Sequence, residues 1–260
     1  METLGFSIQD IYRVFLIMFR AGALLMTVPV FGHASIPRLV RIWLMVIIAV
    51  LVFPAATVSE IQLPATTLHL IMVIISELAV GFSMGFAIII IFSAVQFAGH
   101  LIGLKMGLAV ANILDPMSSV QISIIGEFYY LVSLLVFILI DGHHHVIEAL
   151  VLSYELIPIS GAVFNAGLGE FIIILTGSLF IVGLKLSAPV IITLFIVNIV
   201  MGIVARTVPQ MNVFIVGFPL AIGVGLIMIR FSLPFFKVVF INAFRAIEND
   251  IFSIVRMLQG

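Results

Sequence analysis

The hydrophobic positions of this chain fall into about six blocks that are separated by short, more polar stretches. The blocks are long and nearly free of charge, which is the pattern of apolar helices that lie in hydrocarbon. They cover residues 11–30, 39–53, 68–98, 122–140, 171–204 and 213–236. The pattern predicts an all-α membrane protein with about six long, partly broken hydrophobic helices.

The block lengths fit a simple series of membrane crossings poorly. A helix needs roughly 20 residues to cross about 30 Å of hydrocarbon. Residues 39–53 are too few for a comfortable crossing, whereas residues 68–98 and 171–204 reach well beyond one. Steep tilt, a break at a glycine pair or at Pro189, or a position partly outside the bilayer would each explain the longer blocks.

Composition fixes the class of protein. Hydrophobic residues make up 63% of the chain and charged residues 9%, against roughly 45–50% and about 25% in soluble domains. The net charge of −1 argues against nucleic acid as a partner, and the absence of cysteine excludes disulfides and thiolate metal sites. No basic residue precedes Arg13, so we expect the first block to be a retained membrane segment rather than a cleaved signal peptide.

Several charged residues lie inside or at the start of the apolar blocks. Arg20, Glu77, Glu127 and Lys185 are the main ones, and a charge at the bilayer centre costs roughly 2.5–3.5 kcal/mol on insertion scales. A proton or ion relay is one interpretation, and static ion pairing between helices or subunits is the other. Static pairing is favoured, because the opposite charges can neutralise one another and no run of acids follows one face.

Glycines recur at four-residue spacing along the third block. Gly81 and Gly85 form one pair, and Gly99, Gly103 and Gly107 form a series that ends in a segment of small and weakly polar residues. Such spacing commonly allows close packing of membrane helices. Irregular backbone at membrane depth survives only where protein buries it or where it lines an aqueous path. The segment after Gly107 is therefore either an ordinary interfacial loop or a movable part of a pore.

The last part of the chain has an amphipathic pattern. Apolar residues recur at three- and four-residue steps between residues 240 and 258, opposite several charged residues. An interfacial or partner-docking helix and a plain continuation of the last block explain this pattern equally well.

Candidate chemistry is sparse. The run from His143 to His145 has three imidazoles that point about 100° apart on a helix, so a polar loop is favoured over a metal site. Asp115 has Ser118 and Ser119 beside it but no nearby histidine, and no nucleotide or hydrolase motif is present. We expect no enzyme activity, no metal and no cofactor.

Several motifs in a fixed order resemble the FliR family of flagellar export-gate proteins, which is related to components of virulence injectisomes. The resemblance covers nearly the whole chain, and its most specific part is the string from Arg206 to Phe214, which includes Gln210. The other motifs are Arg20 with Pro29, Gly32, Pro37 and Arg41; Glu77-x3-Gly81-x3-Gly85; Gln96-x2-Gly99-x3-Gly103-x3-Gly107; Asp115-Pro116; and Ser187-Ala-Pro189.

The resemblance implies a fold with a FliP-like part, about residues 1–170, followed by a FliQ-like part, about residues 171–260. It implies a helical hetero-oligomer with FliP and FliQ in the bacterial inner membrane, within the flagellar basal body. FlhB would wrap the entrance, FlhA is expected as a further partner, and unfolded flagellar proteins would be the substrates. Arg20, Glu77, Lys185, Arg206 and Gln210 would make buried-charge or subunit contacts.

The resemblance also maps the family's pore plug onto this chain. The plug would comprise Gly107, Ala109, Asn112, Ile113, Leu114, Asp115, Pro116, Met117, Ser118 and Ser119, and the glycines before it would serve as hinge or packing positions. Asp115 and Pro116 would shape the plug, and Ile113, Leu114 and Met117 would fill the closed pore. The alternative function is a small-molecule or ion transporter, which broken helices and buried charges would also fit. An intramembrane enzyme lacks a catalytic constellation.

Overall fold

The computed structural model describes residues 7–33, 35–56, 63–64, 66–108, 123–208, 210 and 212–259, with the side chains at 213 and 214 outside the description. Eight helices and no strand occur in these ranges. They are α1 (Ile8–Thr27), α2 (Pro29–Gly32), α3 (Arg38–Val52), α4 (Thr67–Lys105), α5 (Ile124–Leu139), α6 (Gly142–Leu156), α7 (Ala166–Thr207) and α8 (Val213–Gln259). The prediction of an all-α fold is confirmed.

Three helices dominate the chain. α4, α7 and α8 have 39, 42 and 47 residues, which corresponds to about 60–70 Å each at 1.5 Å per residue. These three are long and apolar enough to cross a membrane, and α5 with α6, bent by 67° at a short break, would be a fourth candidate. The predicted count of about six long hydrophobic helices is not confirmed in the described part of the chain.

A break at a glycine pair or at Pro189, one of the explanations considered for the long blocks, does not occur, because α4 and α7 are continuous through these residues. Pro189 lies inside α7, and Pro219 and Pro234 lie inside α8. In α7 the Thr193 hydroxyl donates to the Pro189 carbonyl at 2.9 Å. The last block and the amphipathic end therefore form one continuous helix, as expected for a plain continuation, and Phe244, Ile251 and Leu258 on its apolar face are buried.

The chain divides into two compact units, and the first comprises Met1–Ile90, Phe137–Thr176 and Phe244–Gly260. Its α1 begins with a capping box, in which Ser7 accepts from the Gln9 amide and Asp10 accepts from the Ser7 amide. A backbone hydrogen bond joins the segment after α6 to the end of α8: the Val163 amide donates to the Leu258 carbonyl at 2.9 Å.

The second unit comprises Ile91–Val136 and Gly177–Ala243. Aromatic rings join its helices: Phe92 lies 6.0 Å from Tyr130 and 5.8 Å from Phe240, and Tyr129 lies 5.0 Å from Phe236. The Tyr129 hydroxyl also lies 3.4 Å from the Ser232 hydroxyl, so the buried ring has a polar partner. The expected division into FliP-like and FliQ-like parts concerns likeness to other folds and stays a prediction.

Candidate functional site

The helix α4 ends in a Schellman motif at the glycine that closes the predicted series. The Leu108 amide donates to the Gly103 carbonyl at 3.1 Å, and the Gly107 amide donates to the Leu104 carbonyl at 3.1 Å. Gly107 has φ of +82°, a left-handed conformation that glycine adopts at little cost. Gly107 therefore ends the helix sharply, directly before the predicted plug.

Two contacts with α8 hold this helix end. A Cβ added to Gly107 would lie 2.6 Å from the Phe218 ring, and a Cβ added to Gly225 would lie 2.7 Å from Met106. Phe218 and Gly225 are seven residues apart, which puts them on the same face of α8. Each helix thus offers one large side chain to a glycine of the other, and the end of α4 is fixed by two complementary contacts.

The other end of the same loop is held at the start of α5. The Ser123 hydroxyl accepts from the Gly126 amide at 3.1 Å, as an N-cap does, and donates to the Gly99 carbonyl at 3.4 Å. A Cβ on Gly99 would lie 2.5 Å from the Gly126 Cα, and one on Gly103 would lie 3.1 Å from the Ser123 hydroxyl oxygen. Backbone meets backbone here because neither Gly99 nor Gly126 has a side chain.

We call these eight residues the loop frame; they are Gly99, Gly103, Met106, Gly107, Ser123, Gly126, Phe218 and Gly225. The frame anchors both ends of the connection between α4 and α5 on the same stretch of α4. The remaining predicted plug residues, which are Ala109, Asn112, Ile113, Leu114, Asp115, Pro116, Met117, Ser118 and Ser119, lie outside the described residues.

A cavity of about 450 Å³ lies beside the frame in the second unit. Its wall includes Met106, Gly107 and Phe218, together with the polar side chains of Lys105 and Asn198. The space next to the helix end is therefore mainly apolar, with one cationic and one amide group.

The first unit contains two of the four charged residues that the sequence places in apolar blocks, Arg20 and Glu77. Arg20 of α1 and Glu77 of α4 are 0% and 1% exposed and form an ion pair, with Nε 2.8 Å and a terminal nitrogen 3.2 Å from the two carboxylate oxygens. This bidentate geometry is the strong form of an arginine–carboxylate contact. The two helices are thus joined by a fixed pair of opposite charges.

Neighbouring groups use the remaining hydrogen-bonding capacity of this pair. The other terminal nitrogen of Arg20 donates to the carbonyl and hydroxyl oxygens of Ser153 and to the Ile157 carbonyl, at 3.1–3.2 Å. The Ser160 amide donates to Glu77 at 2.9 Å, and the Arg20 guanidinium lies 4.1 Å from the Tyr154 ring centroid. A buried charge needs such partners, and these contacts connect α1, α4, α6 and the segment after α6.

The first glycine pair lies directly beside this ion pair. A Cβ on Gly81 would meet the Arg20 carbonyl and, at 3.0 Å, the Ala23 side chain. One on Gly85 would meet the Thr27 hydroxyl and lie 2.7 Å from the Thr27 Cβ. Gly81 and Gly85 therefore let α4 approach the backbone of α1 closely, as small residues do between membrane helices.

The other predicted contact residues lie on the surface of this chain. Lys185 of α7, Arg206 at its end and Gln210 in the following turn are exposed. Their side chains have no hydrogen-bond or ion-pair partner within the part of the chain that the structure describes. Arg13 lies 3.7 Å from Asp10, although its Nε is buried without a hydrogen-bond partner among the described residues.

The partners at both sites are not apparent from the sequence. Phe218 follows no motif, and nothing in its spacing predicts a contact with Gly107. Ser123 directly before the apolar run that begins at Ile124 is a helix-start signal that can be found in the sequence. Ser153 and Tyr154 were not identified as partners of Arg20, because contacts between residues more than 130 positions apart have no local signature.

Comparison with known proteins gives consistent matches along the chain. Residues 11–247 match the family of bacterial export proteins, family 1. The flagellar biosynthetic protein FliR of Bacillus subtilis is 36% identical over 242 residues, covering 92% of this chain and 93% of that protein. The flagellar biosynthetic protein FliR of Aquifex aeolicus is 31% identical over 240 residues, covering 92% of each chain, and that of Escherichia coli is 29% identical over 242 residues, covering 93% and 92%.

Proposed function

Since the chain belongs to the FliR family of flagellar biosynthetic export proteins, we propose that it is a subunit of the flagellar export gate. In this proposal it forms a channel for unfolded flagellar proteins together with FliP and FliQ. FlhB and FlhA are the further partners, and the gate lies in the inner membrane within the flagellar basal body. The chain acts by position and shape rather than by catalysis.

The observation that carries this proposal is the loop frame. A channel for protein chains must be closed at rest, and a closure that reopens needs a movable segment between fixed ends. Both ends of the connection between α4 and α5 are fixed by glycine contacts, a Schellman motif and a serine cap. We therefore propose that the segment from Gly107 to Ser119 is the pore plug, with Ile113, Leu114 and Met117 as its apolar seal.

Exposed apolar surface supports the assembly with other subunits. In the most apolar 18 residues of α7 only 17% are buried, although these side chains cannot face water at low cost. Helices of about 60–70 Å exceed the roughly 30 Å of hydrocarbon, so lipid alone would leave part of this surface uncovered. Arg206 and Gln210, exposed at the end of α7, are proposed to bond to a neighbouring subunit.

Assembly is tested by purification in mild detergent. The tagged chain is produced with and without FliP and FliQ, and the mass of the intact particle is measured. We expect the tagged chain to co-purify with both partners. Without them it should be degraded or aggregate, because the apolar surface of its exposed helices is then not covered by other subunits. A monodisperse, protease-resistant monomer would contradict the proposal and favour the transporter alternative.

The plug is tested separately by changing its seal. Replacing Ile113, Leu114 and Met117 together by serine removes apolar closure without shortening the segment. Cells that carry this variant should leak small ions and solutes, whereas Ala109→Ser in the same segment is the matched control and should not. If the triple variant assembles normally and membrane conductance stays at the wild-type level, the plug assignment is wrong although the assembly proposal stands.

A further inference from the structure

The start of α6 brings together three metal-ligating side chains that the proposed export function does not use. Asp141, His143 and His144 each place one ligand atom so that the three atoms lie within 4.8 Å of one another. Asp141 and His144 are 69% and 70% exposed, so two of the three ligands are open to solution.

The local backbone explains why these residues meet. Asp141 is the N-cap of α6 and has φ of +56°, a left-handed conformation that aspartate tolerates better than most residues. Its carbonyl accepts from the His144 amide at 2.8 Å, which closes the first turn. The turn brings the Asp141 carboxylate to 3.4 Å from Nδ1 of His144.

The neighbouring histidine joins this pair. The ring centroids of His143 and His144 are 4.2 Å apart, with 37° between the ring planes. The prediction of a polar loop is wrong, because the three histidines lie at the start of α6. The argument against a metal site, that successive side chains point about 100° apart around a helix, concerns the histidines alone. The left-handed Asp141 supplies a third ligand from outside the regular helix.

Protein partners do not compete strongly for these ligands. Nδ1 of His143 is buried and has no hydrogen-bond partner in the described ranges of the chain. A metal bound through the other ring nitrogen would fix the tautomer and leave Nδ1 as an N–H group with no acceptor among the described residues, which weakens the site. The contact of His144 with Asp141 is the only one that a metal would replace among the described residues.

From this donor set we propose that Asp141, His143 and His144 form a surface site for a divalent transition-metal ion, best matched to Zn²⁺. Two imidazoles and one carboxylate suit zinc rather than magnesium or calcium, which prefer oxygen ligands. Ligand distances of 2.0–2.1 Å in a tetrahedral site imply separations of roughly 3.4 Å between ligand atoms. Small rotations of the exposed Asp141 and His144 side chains would bring the ligand atoms, now within 4.8 Å of one another, to this separation.

The site is a weak one on physical grounds. Its ligands must lose side-chain freedom, and the positive end of the α6 dipole opposes a cation, which the Asp141 carboxylate offsets. We therefore expect a dissociation constant in the micromolar range, with water completing the coordination.

His145 provides the matched control. It follows directly in the sequence, but its Nδ1 lies 3.4 Å from Glu248 of α8 and 3.8 Å from Glu148, outside the three-residue cluster. Removing it deletes an imidazole of the same run without touching the proposed ligands.

The test uses the full chain, purified with its accompanying subunits by a tag without histidine and stripped of metal by a chelator. Zn²⁺ binding is measured by competition with a chromophoric chelator, and Co²⁺ is added separately to record its visible absorption. We expect one saturable site, tetrahedral Co²⁺ bands, and at least about 10-fold weaker binding in Asp141→Asn and His144→Ala. His145→Ala should bind within about 2-fold of the wild type.

Two outcomes would overturn the site. One is the absence of saturable Zn²⁺ binding in the wild-type chain. The other is an equal loss in His145→Ala, which would indicate unspecific binding to the histidine run. Melting temperatures recorded in chelator must match among the variants, and Asn is used at position 141 because it also tolerates the left-handed conformation. If His144→Ala is misfolded, His144→Gln and the Co²⁺ spectrum of Asp141→Asn decide the question.

Discussion

Two helices of this chain, α4 and α7, are nearly equal in length and hydropathy but differ sharply in their surroundings. They have 39 and 42 residues. In their most apolar 18-residue stretches, 67% of the residues of α4 are buried, against 17% in α7. Apolar composition therefore indicates that a helix avoids water, but it does not indicate whether protein or lipid covers the helix.

Glycines show the physical cause of this difference. In α4, an added Cβ at Gly81, Gly85 or Gly99 would lie within 3 Å of another helix. In α7, an added Cβ at Gly169, Gly177 or Gly202 would meet no atom within 4 Å, whereas Gly183 packs tightly against Phe97 of another helix. Glycine spacing is useful to a helix only where a neighbour occupies the space, so the free glycines and apolar residues of α7 are available to lipid or to another subunit.

The largest expected effect comes from breaking the ion pair that holds α4 to α1. Arg20→Leu leaves the Glu77 carboxylate buried and unpaired, which costs about 3–5 kcal/mol in the free energy of unfolding. The chain should fall to low levels in membranes and lose protease resistance. The measurement is membrane abundance together with a proteolysis midpoint in detergent.

A double substitution separates lost pairing from lost packing. Arg20→Leu combined with Glu77→Leu removes both charges, so the double variant should be more stable than the sum of the two single effects predicts. Arg256→Leu, which changes an exposed arginine near the end of α8, is the control and should change stability little. Additive effects at Arg20 and Glu77 would show that the pair does not act as a unit.

The second prediction compares one glycine from each helix. Gly85→Ala forces a methyl group against Thr27 and should destabilise the fold by about 1–3 kcal/mol. Gly177→Ala meets no atom within 4 Å, and it should stabilise the helix by up to about 1 kcal/mol because alanine has the higher helix propensity.

Thermal unfolding in one detergent measures both substitutions. Equal losses of stability would mean that α4 and α7 do not differ in packing as the structure indicates. A loss of complex yield in Gly177→Ala without a loss of chain stability would instead locate a subunit contact on α7.

The sequence predicts the helices better than it predicts their contacts. Apolar blocks identify α4, α7 and α8 because long periodic segments are strong local signals. A break at Pro189, which the sequence left open, does not occur, and the last block ends at residue 236 although α8 continues through Pro219 and Pro234 to Gln259. Arg20 and Glu77 could be found as costly charges, but their common site depends on which helices meet, and no local pattern encodes that.

The same limit applies to the loop frame. Its glycines are visible in the sequence, and Gly107 fits the preference for glycine after a helix C-terminus. The contact between Gly107 and Phe218 is not visible, because it depends on how α4 and α8 pack in the second unit. Sequence thus identifies the positions that permit a close approach, and the structure identifies the partner.

The third prediction tests whether the end of α4 tolerates an added side-chain atom as poorly as its middle does. Gly107→Ala adds a Cβ at φ of +82° and 2.6 Å from the Phe218 ring. The backbone strain alone costs roughly 1–2 kcal/mol. We expect an assembled complex with a moderately lower melting temperature and increased ion leakage, because the Schellman motif and the first end of the plug are displaced.

The combination with Phe218→Ala isolates the ring contact from the backbone strain. The double variant should recover only the part of the stability that the clash removed, and the strain at position 107 should remain. A wild-type melting temperature and conductance in Gly107→Ala would mean that the frame does not constrain the loop.

The smallest effect on the chain itself is expected at the charge of α7. Glu77 and Lys185 are each a charge within a long apolar helix, but Glu77 is paired inside the fold whereas Lys185 is exposed and has no carboxylate partner in the described ranges. Lys185→Met should therefore change the free energy of unfolding of the chain by less than about 0.5 kcal/mol, and its melting temperature very little.

If another subunit supplies a carboxylate partner for Lys185, the same change should lower the yield of the complex, because an unpaired carboxylate in an apolar membrane interface is costly. Lys185→Arg keeps the charge and should restore the yield. Unchanged yield in Lys185→Met would mean that the ammonium group reaches water or lipid headgroups along its apolar stem, and that this face of α7 is not held to a subunit by charge.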